Sequence, residues 1–224
     1  MSITSTTTIT SMNEPTGRIF AVGDIHGHLE RFRRVMEMIE IDEEHDSLVL
    51  LGDYIDRGPD PRGTVDFILR LRARLRKMYC LMGNHELMFL DYLKGREMST
   101  FINNGGAFTL AGYQTSRGDL EIPDEHLHFF ASLLPYLETN DYVFVHGGLA
   151  SGIPLEHQSV EEIVWSRTRP EDPDVGYKGK KLVYGHYPMA SPLLGKKRIG
   201  MDTGAGHGGP LACIELPCEK IYIA

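Results

Sequence analysis

The stretch "VLLGDYIDRGP", residues 49–59, decides how this chain is read. An apolar run of strand length stops at Gly52, and Asp53, Asp56 and Arg57 then crowd into five residues. A turn accounts for the glycines and the proline. It does not account for two acids and an arginine at the lip of a buried sheet.

The same pattern recurs along the chain. "RIFAVGDIHG" runs into Asp24, "MYCLMGNHE" into Asn84, "YVFVHGG" into His146 and "KLVYGH" into His186. Runs this apolar predict strands buried on both faces. Between the first three lie helical patterns, "HLERFRRVMEMIE" and "DPRGTVDFILRLRARL". Asp24 and Asp53 are 29 positions apart, and Asp53 and Asn84 are 31 apart. Each interval is about one βαβ unit, so each polar residue stands just past the carboxyl end of a strand. Ligands bind at that edge of an α/β sheet, which brings the five stops to one place.

The remainder is less regular. "KRIGMDTG", "PLACIEL" and "KIYIA" predict further strands joined by tight turns, with antiparallel pairing. "PDEHLHFFASLL" predicts a helix. Residues 94–124 are glycine-rich and are expected to insert loops or a small helical cap that shapes access to the site. Residues 1–17 read as a disordered or loosely ordered tail, and 18–224 as one catalytic domain.

Composition narrows the function classes. The chain has 224 residues, 42% hydrophobic and 24% charged, enough for a core without disulfide staples. Its three cysteines form no CxxC pair, which disfavours a cysteine-ligated zinc and fits a reducing, cytoplasmic setting. A net charge of −8 argues against nucleic acid and anionic membrane as partners. No run reaches the ~20 apolar residues of a membrane span. The basic run "RLRARLRK" belongs to an amphipathic helix with Phe67, Leu71 and Leu75 inward. His45, His126, His128 and His157 lack strand-end context and read as structural histidines.

Asp24, His26, Asp53, Asn84, His146 and His186 offer two carboxylates, an amide oxygen and three imidazoles. Oxygen and nitrogen donors without thiolate suit Mn²⁺, Fe²⁺ or Zn²⁺. Six donors exceed one tetrahedral site and fit two divalent ions if a carboxylate bridges. Asp53, on the middle of the three N-terminal turns, is the natural bridge. Asp24 and His26 are then expected on one ion, and Asn84, His146 and His186 on the other. Two such ions clamp the attacking and leaving sides of a displacement at phosphorus and acidify a bridging water to hydroxide.

"GDIHG", "GDYIDRG" and "GNHE", in this order, followed by "HGG" and "GH", resemble the phosphoprotein phosphatase family of calcineurin-like metallophosphoesterases. The short chain and "DTGAGHGGPL" resemble its bacterial and bacteriophage-type serine/threonine phosphatases. The resemblance spans residues 18 to about 216. It implies an α/β fold (α+β in some schemes), a four-layer αββα sandwich of two mixed β-sheets flanked by helices. It implies the same six metal ligands, His85 as general acid, Asp56 orienting His85, and Arg57 holding phosphate. A second phosphate-binding arginine falls to Arg167 rather than Arg169 in "VWSRTRP". Asp202 is expected behind a metal-ligating histidine, and His207 departs from the family's aromatic or apolar residue.

The expected activity is therefore a metal-dependent phosphomonoester hydrolase, a serine/threonine protein phosphatase with two Mn²⁺ ions. Water would attack directly, on phosphorylated proteins or peptides and on small phosphoesters in vitro. The alternative is a symmetrical bis(5'-nucleosyl)-tetraphosphatase, which tends to read "GNHD" with a less consistent "DRG". A catalytically dead binding module is disfavoured by the intact ligand set, and a nucleic-acid phosphodiesterase by the acidic chain.

Overall fold

A computed structural model describes residues 17–224, so the expected tail lies outside the described residues apart from Gly17. Strand β1 (Ile19–Val22), helix α1 (Leu29–Met38), β2 (Ser47–Leu50), α2 (Pro61–Arg74) and β3 (Met78–Cys80) form two successive βαβ units. β1 pairs parallel with β2, and β2 with β3. Helix α3 (Asn84–Leu93) follows, and then the inserted segment. It is largely helical: α4 (Met98–Phe101) and α5 (Ala107–Tyr113), joined over 102–106 by a kinked stretch that breaks at Gly105. α6 (Asp124–Ala131) is the helix expected from "PDEHLHFFASLL".

The second half builds a second sheet from β4 (Tyr136–Glu138), β5 (Tyr142–Val145), β6 (Lys181–Tyr184), β7 (Leu193–Leu194) and β8 (Arg198–Gly200), with α7 (Val160–Trp165) between β5 and β6. β9 (Ala212–Leu216) and β10 (Lys220–Ile223) then return to the first sheet. The sheet orders are β10-β9-β1-β2-β3 and β4-β5-β6-β8-β7, five strands each and both mixed. The antiparallel expectation holds for β9 and β10. It holds for only one side of β8, which pairs antiparallel with β7 and parallel with β6.

Strand alternation sorts the core into layers. Phe20, Val22, Leu48 and Leu50 face the helices on the outer side of the first sheet. Ala21, Val49 and Leu51 point the other way and meet Phe144, Val183 and Ile199 between the sheets. Val143, Val145, Leu182 and Tyr184 face outward under α7, packed with Ile163. With both faces covered, the strands are apolar throughout. This is the expected sandwich: two mixed sheets flanked by helices. The carboxyl ends of β1, β2, β3, β5 and β6 open toward one edge.

Candidate active site

Each of those strand ends contributes to one cluster. Asp53 lies at its centre, buried, with Oδ2 3.4 Å from His26 Nε2 and Oδ1 3.4 Å from His146 Nε2. Its two oxygens thus face imidazoles delivered by different sheets. Two groups have donor atoms mutually within 4.8 Å: His26, Asp53 and His85, and Asp53, His146 and His186. Asn84 Oδ1 is 3.0 Å from His146 Nε2. Asp24 sits against the second group, accepting the His186 N–H at 3.0 Å through Oδ2.

Tight turns make this convergence possible. Gly52 has φ +105°, and a Cβ there would meet Gly83 and His146 Nδ1 at 2.8 Å. His26, Asp53, Asp56, Arg57 and His186 also have positive φ, from 47° to 69°. Such conformations cost non-glycine residues about 1 kcal/mol or more each and persist only where neighbours over-determine them. One such neighbour is Glu86, wholly buried, whose carboxylate accepts from the N–H groups of Asp53, Tyr54, Ile55 and Gly83. The glutamate of "GNHE" is therefore a backbone clasp between two site turns. Its placement three residues past Gly83, at the start of a helix, was a readable capping signal.

The donors fit divalent cations. His26 Nδ1 is 2.9 Å from Ile55 O and His146 Nδ1 is 2.8 Å from Leu51 O. Each carbonyl holds the proton on Nδ1 and turns an Nε2 lone pair inward, as metal-binding histidines require. His146 Nε2 and Asn84 Oδ1 face each other at 3.0 Å, across a gap that a proton on Nε2 bridges in the metal-free protein and that a cation would take in its place. Asp24 Oδ1 and His186 Nε2 are buried without a hydrogen-bond partner, which is costly for polar atoms lacking a ligand.

The electrostatics agree. Burial works against a charged His146, yet Asp53 and Asp24 push its pKa up to about 10. Burial, with His146 alongside, brings His186 down to about 3. Burial holds Asp24 well above the carboxylate range, with Asp202 adding repulsion. Burial would also raise Asp53, but His146 and His85 draw it well below that range.

Beside this cluster stands the acid–base pair. His85 Nδ1 is 2.6 Å from Asp56 Oδ2, and both groups are buried. The Arg57 fork spans the mouth, with Nη1 2.9 Å from His26 Nε2 and Nη2 2.9 Å from His85 Nε2. A cavity of ≈ 370 Å³ opens here, lined by Asp53, Arg57, His85, Trp165, Arg167 and His207. A larger cleft of ≈ 440 Å³ beside Lys180 and Lys196 holds none of these groups. Convergent chemistry, not size, marks the site.

The structure thus brings together Asp24, His26, Asp53, Asp56, Arg57, Asn84, His85, His146, Arg167 and His186. Arg169 does not line the cavity, whereas Arg167 does; the Arg169 backbone N–H donates to Asp172 and its carbonyl accepts from Arg198. Asp202 is buried, but its carboxylate accepts from the N–H of Gly204 rather than from a histidine. His207 Nε2 is 3.3 Å from Arg57 Nη1. His126 is the buried structural histidine expected, bonded to Tyr113 and Asp66. Thr109, bonded to Asp56, had no signal in the sequence beyond lying in the insertion.

The family profile of calcineurin-like phosphoesterases matches residues 17–216. The chain belongs to that family. It is a metallophosphoesterase, a hydrolase of a metal-dependent family. Serine/threonine-protein phosphatase 1 of Salmonella typhimurium is 28% identical over 203 residues, covering 86% of this chain and 89% of that protein. The asymmetrical bis(5'-nucleosyl)-tetraphosphatase PrpE of a Geobacillus strain is 26% identical, covering 89% of this chain and 91% of that protein. A solved structure provisionally assigned as a diadenosine tetraphosphatase superposes with TM-score 0.75 at 22% identity, covering 96% of each chain. That likeness supports the calcineurin-like fold.

Proposed function

We propose that this calcineurin-like phosphoesterase hydrolyses phosphomonoesters and acts as a serine/threonine protein phosphatase. The observation that carries the reading is Asp53 with an oxygen 3.4 Å from an imidazole on either side, next to the buried Asp56–His85 pair. Asp53 would bridge two divalent ions, Mn²⁺ by preference, with Fe or Zn as alternatives. Asp24 and His26 would complete one site, and Asn84, His146 and His186 the other. Asp24, lying against His186, is near enough to the second group to steady it as well. When bound, the ions supply Lewis acidity and an activated water.

The chain's own groups do the rest. Arg57 and Arg167 would hold the phosphoryl oxygens, Arg57 through its planar fork. Arg57 donates to His26 and His85 and can redirect those N–H groups to an anion. His85 would protonate the departing oxygen, with Asp56 holding its Nδ1–H and stabilising the imidazolium. That donor favours a phosphomonoester, since a serine or threonine alkoxide leaves poorly unless protonated. A phosphoanhydride releases a stabilised phosphate and needs the donor less.

The second reading, a dinucleoside-tetraphosphate hydrolase, is favoured by likeness to PrpE, an asymmetrical enzyme. Kinetics with Mn²⁺ on a phosphoserine peptide and on diadenosine tetraphosphate decide between them. The account expects kcat/KM for the peptide to be higher by about tenfold or more; the reverse order would establish the second reading.

A further inference from the structure

The inserted helices reach the site from outside the motifs. Thr109, on α5, is wholly buried against Asp56. Its Oγ1 donates to Asp56 Oδ1 at 2.5 Å and accepts from the Asp56 N–H at 3.0 Å. One hydroxyl thus satisfies both the carboxylate and the backbone of a residue held at φ 69°. The other oxygen, Oδ2, is the one bonded to His85 Nδ1. Loss of the hydroxyl would leave a buried N–H and a buried carboxylate oxygen unpaired and the carboxylate free to rotate.

The next residue is held by the same segment. Arg57 N–H donates to Gly105 O at 3.3 Å. Gly105 has φ +101°, and a Cβ there would fall 2.8 Å from Arg57 Cγ. α5 is itself anchored. One turn beyond Thr109, on the same face, Tyr113 bonds His126 Nδ1 at 2.7 Å, and His126 Nε2 is 3.0 Å from Asp66 Oδ1 on α2. The insertion does more than shape access. It grips Asp56 and Arg57, the two adjacent left-handed residues of "DYIDRG".

We propose that Thr109 is a positioning residue of the hydrolytic site: acting through Asp56, it holds the His85 imidazole in line with the leaving oxygen. The proposal rests on the phosphatase reading of the site. Its signature is selective. Misaimed acid catalysis slows substrates that need a proton and spares those that do not, with little change in KM, whereas general loosening of the site slows both.

The test compares Thr109→Val, which keeps the shape and loses the hydroxyl, with Thr109→Ser, which keeps the hydroxyl. Phenyl phosphate, a poor leaving group, and p-nitrophenyl phosphate, a good one, are the substrates. Thr109→Val is expected to lose about tenfold or more in kcat on phenyl phosphate, about threefold or less on p-nitrophenyl phosphate, with KM within about twofold. Thr109→Ser should restore most of the loss. Equal losses on both substrates, or a serine variant as impaired as valine, would overturn the proposal. A second readout needs no activity. In protein loaded with diamagnetic Zn²⁺, the His85 Nδ1 proton, in a 2.6 Å bond to Asp56, should give a far-downfield proton resonance, assigned by its absence in His85→Asn. It should shift or exchange-broaden in Thr109→Val and persist in Thr109→Ser; an unchanged resonance in Thr109→Val would refute the link. A wild-type protein inert toward both esters would count against the phosphatase reading, while the resonance would still judge the link.

Discussion

At Asp53 and its neighbours, acids and imidazoles of the same type take different work from their surroundings. Asp53 faces histidines on two sides, whereas Asp56 faces one histidine and a threonine. The first suits a bridge between cations and the second a support for a proton donor. His85→Asn should therefore lower kcat on a phosphoserine peptide by about 10²-fold or more and on p-nitrophenyl phosphate by under about tenfold. Steady-state kinetics on both substrates check this, and equal losses would remove His85 from the acid role. His146 carries a pH prediction. Asp53 and Asp24 let it keep a proton up to about pH 10 in the metal-free protein. A cation that takes its Nε2 must displace that proton, so binding tightens as pH rises. Mn²⁺ affinity, measured by calorimetry in buffers of different ionisation enthalpy, should rise by about tenfold per pH unit between about 7 and 9 for each proton released. A flat profile without proton release would contradict it.

At the scale of elements, the site depends on turns that only a few backbones can make. Gly52→Ala places a Cβ 2.8 Å from His146 Nδ1 and the Gly83 backbone, at φ +105°. It should cost about 2–4 kcal/mol of stability and most of the bound metal, read by denaturant unfolding and metal analysis. Wild-type stability would mean that the turn relaxes freely. The turns were legible in the sequence because each joins an apolar run to a polar stop, a local pattern with a fixed period. The parallel strands and five of the six proposed ligands followed from it, and His26 was added because it lies two residues past the first stop. The pairing of β8 with β6 was not legible, because pairing partners are chosen by tertiary packing and the two-residue β7 left no periodic trace. Nor was Thr109, whose role depends on a contact 53 positions away. Glu86 stood between the two cases: its helix position could be read, but not the four N–H groups it would collect.

At the scale of the molecule, the two sheets each hold part of the site. His26, Asp53, Asn84 and His85 follow strands of the first sheet, and His146 and His186 follow strands of the second. Val49 and Leu51 pack against Phe144 and Val183 in the seam between them. That seam sets the distance across which Asp53 meets both groups of imidazoles. A larger cleft elsewhere lacks this convergence, which is why the strand ends, rather than the cavities, locate the chemistry. The account stands on Asp53 joining two cation sites drawn from two sheets. Metal content per chain, measured by mass spectrometry on wild type and Asp53→Asn after equilibration with Mn²⁺, tests that most directly. The account predicts about two ions per wild-type chain and loss of most of both in Asp53→Asn, since a bridge serves each site. A wild-type chain that holds one ion or none, or an Asp53→Asn chain that keeps two, would contradict it.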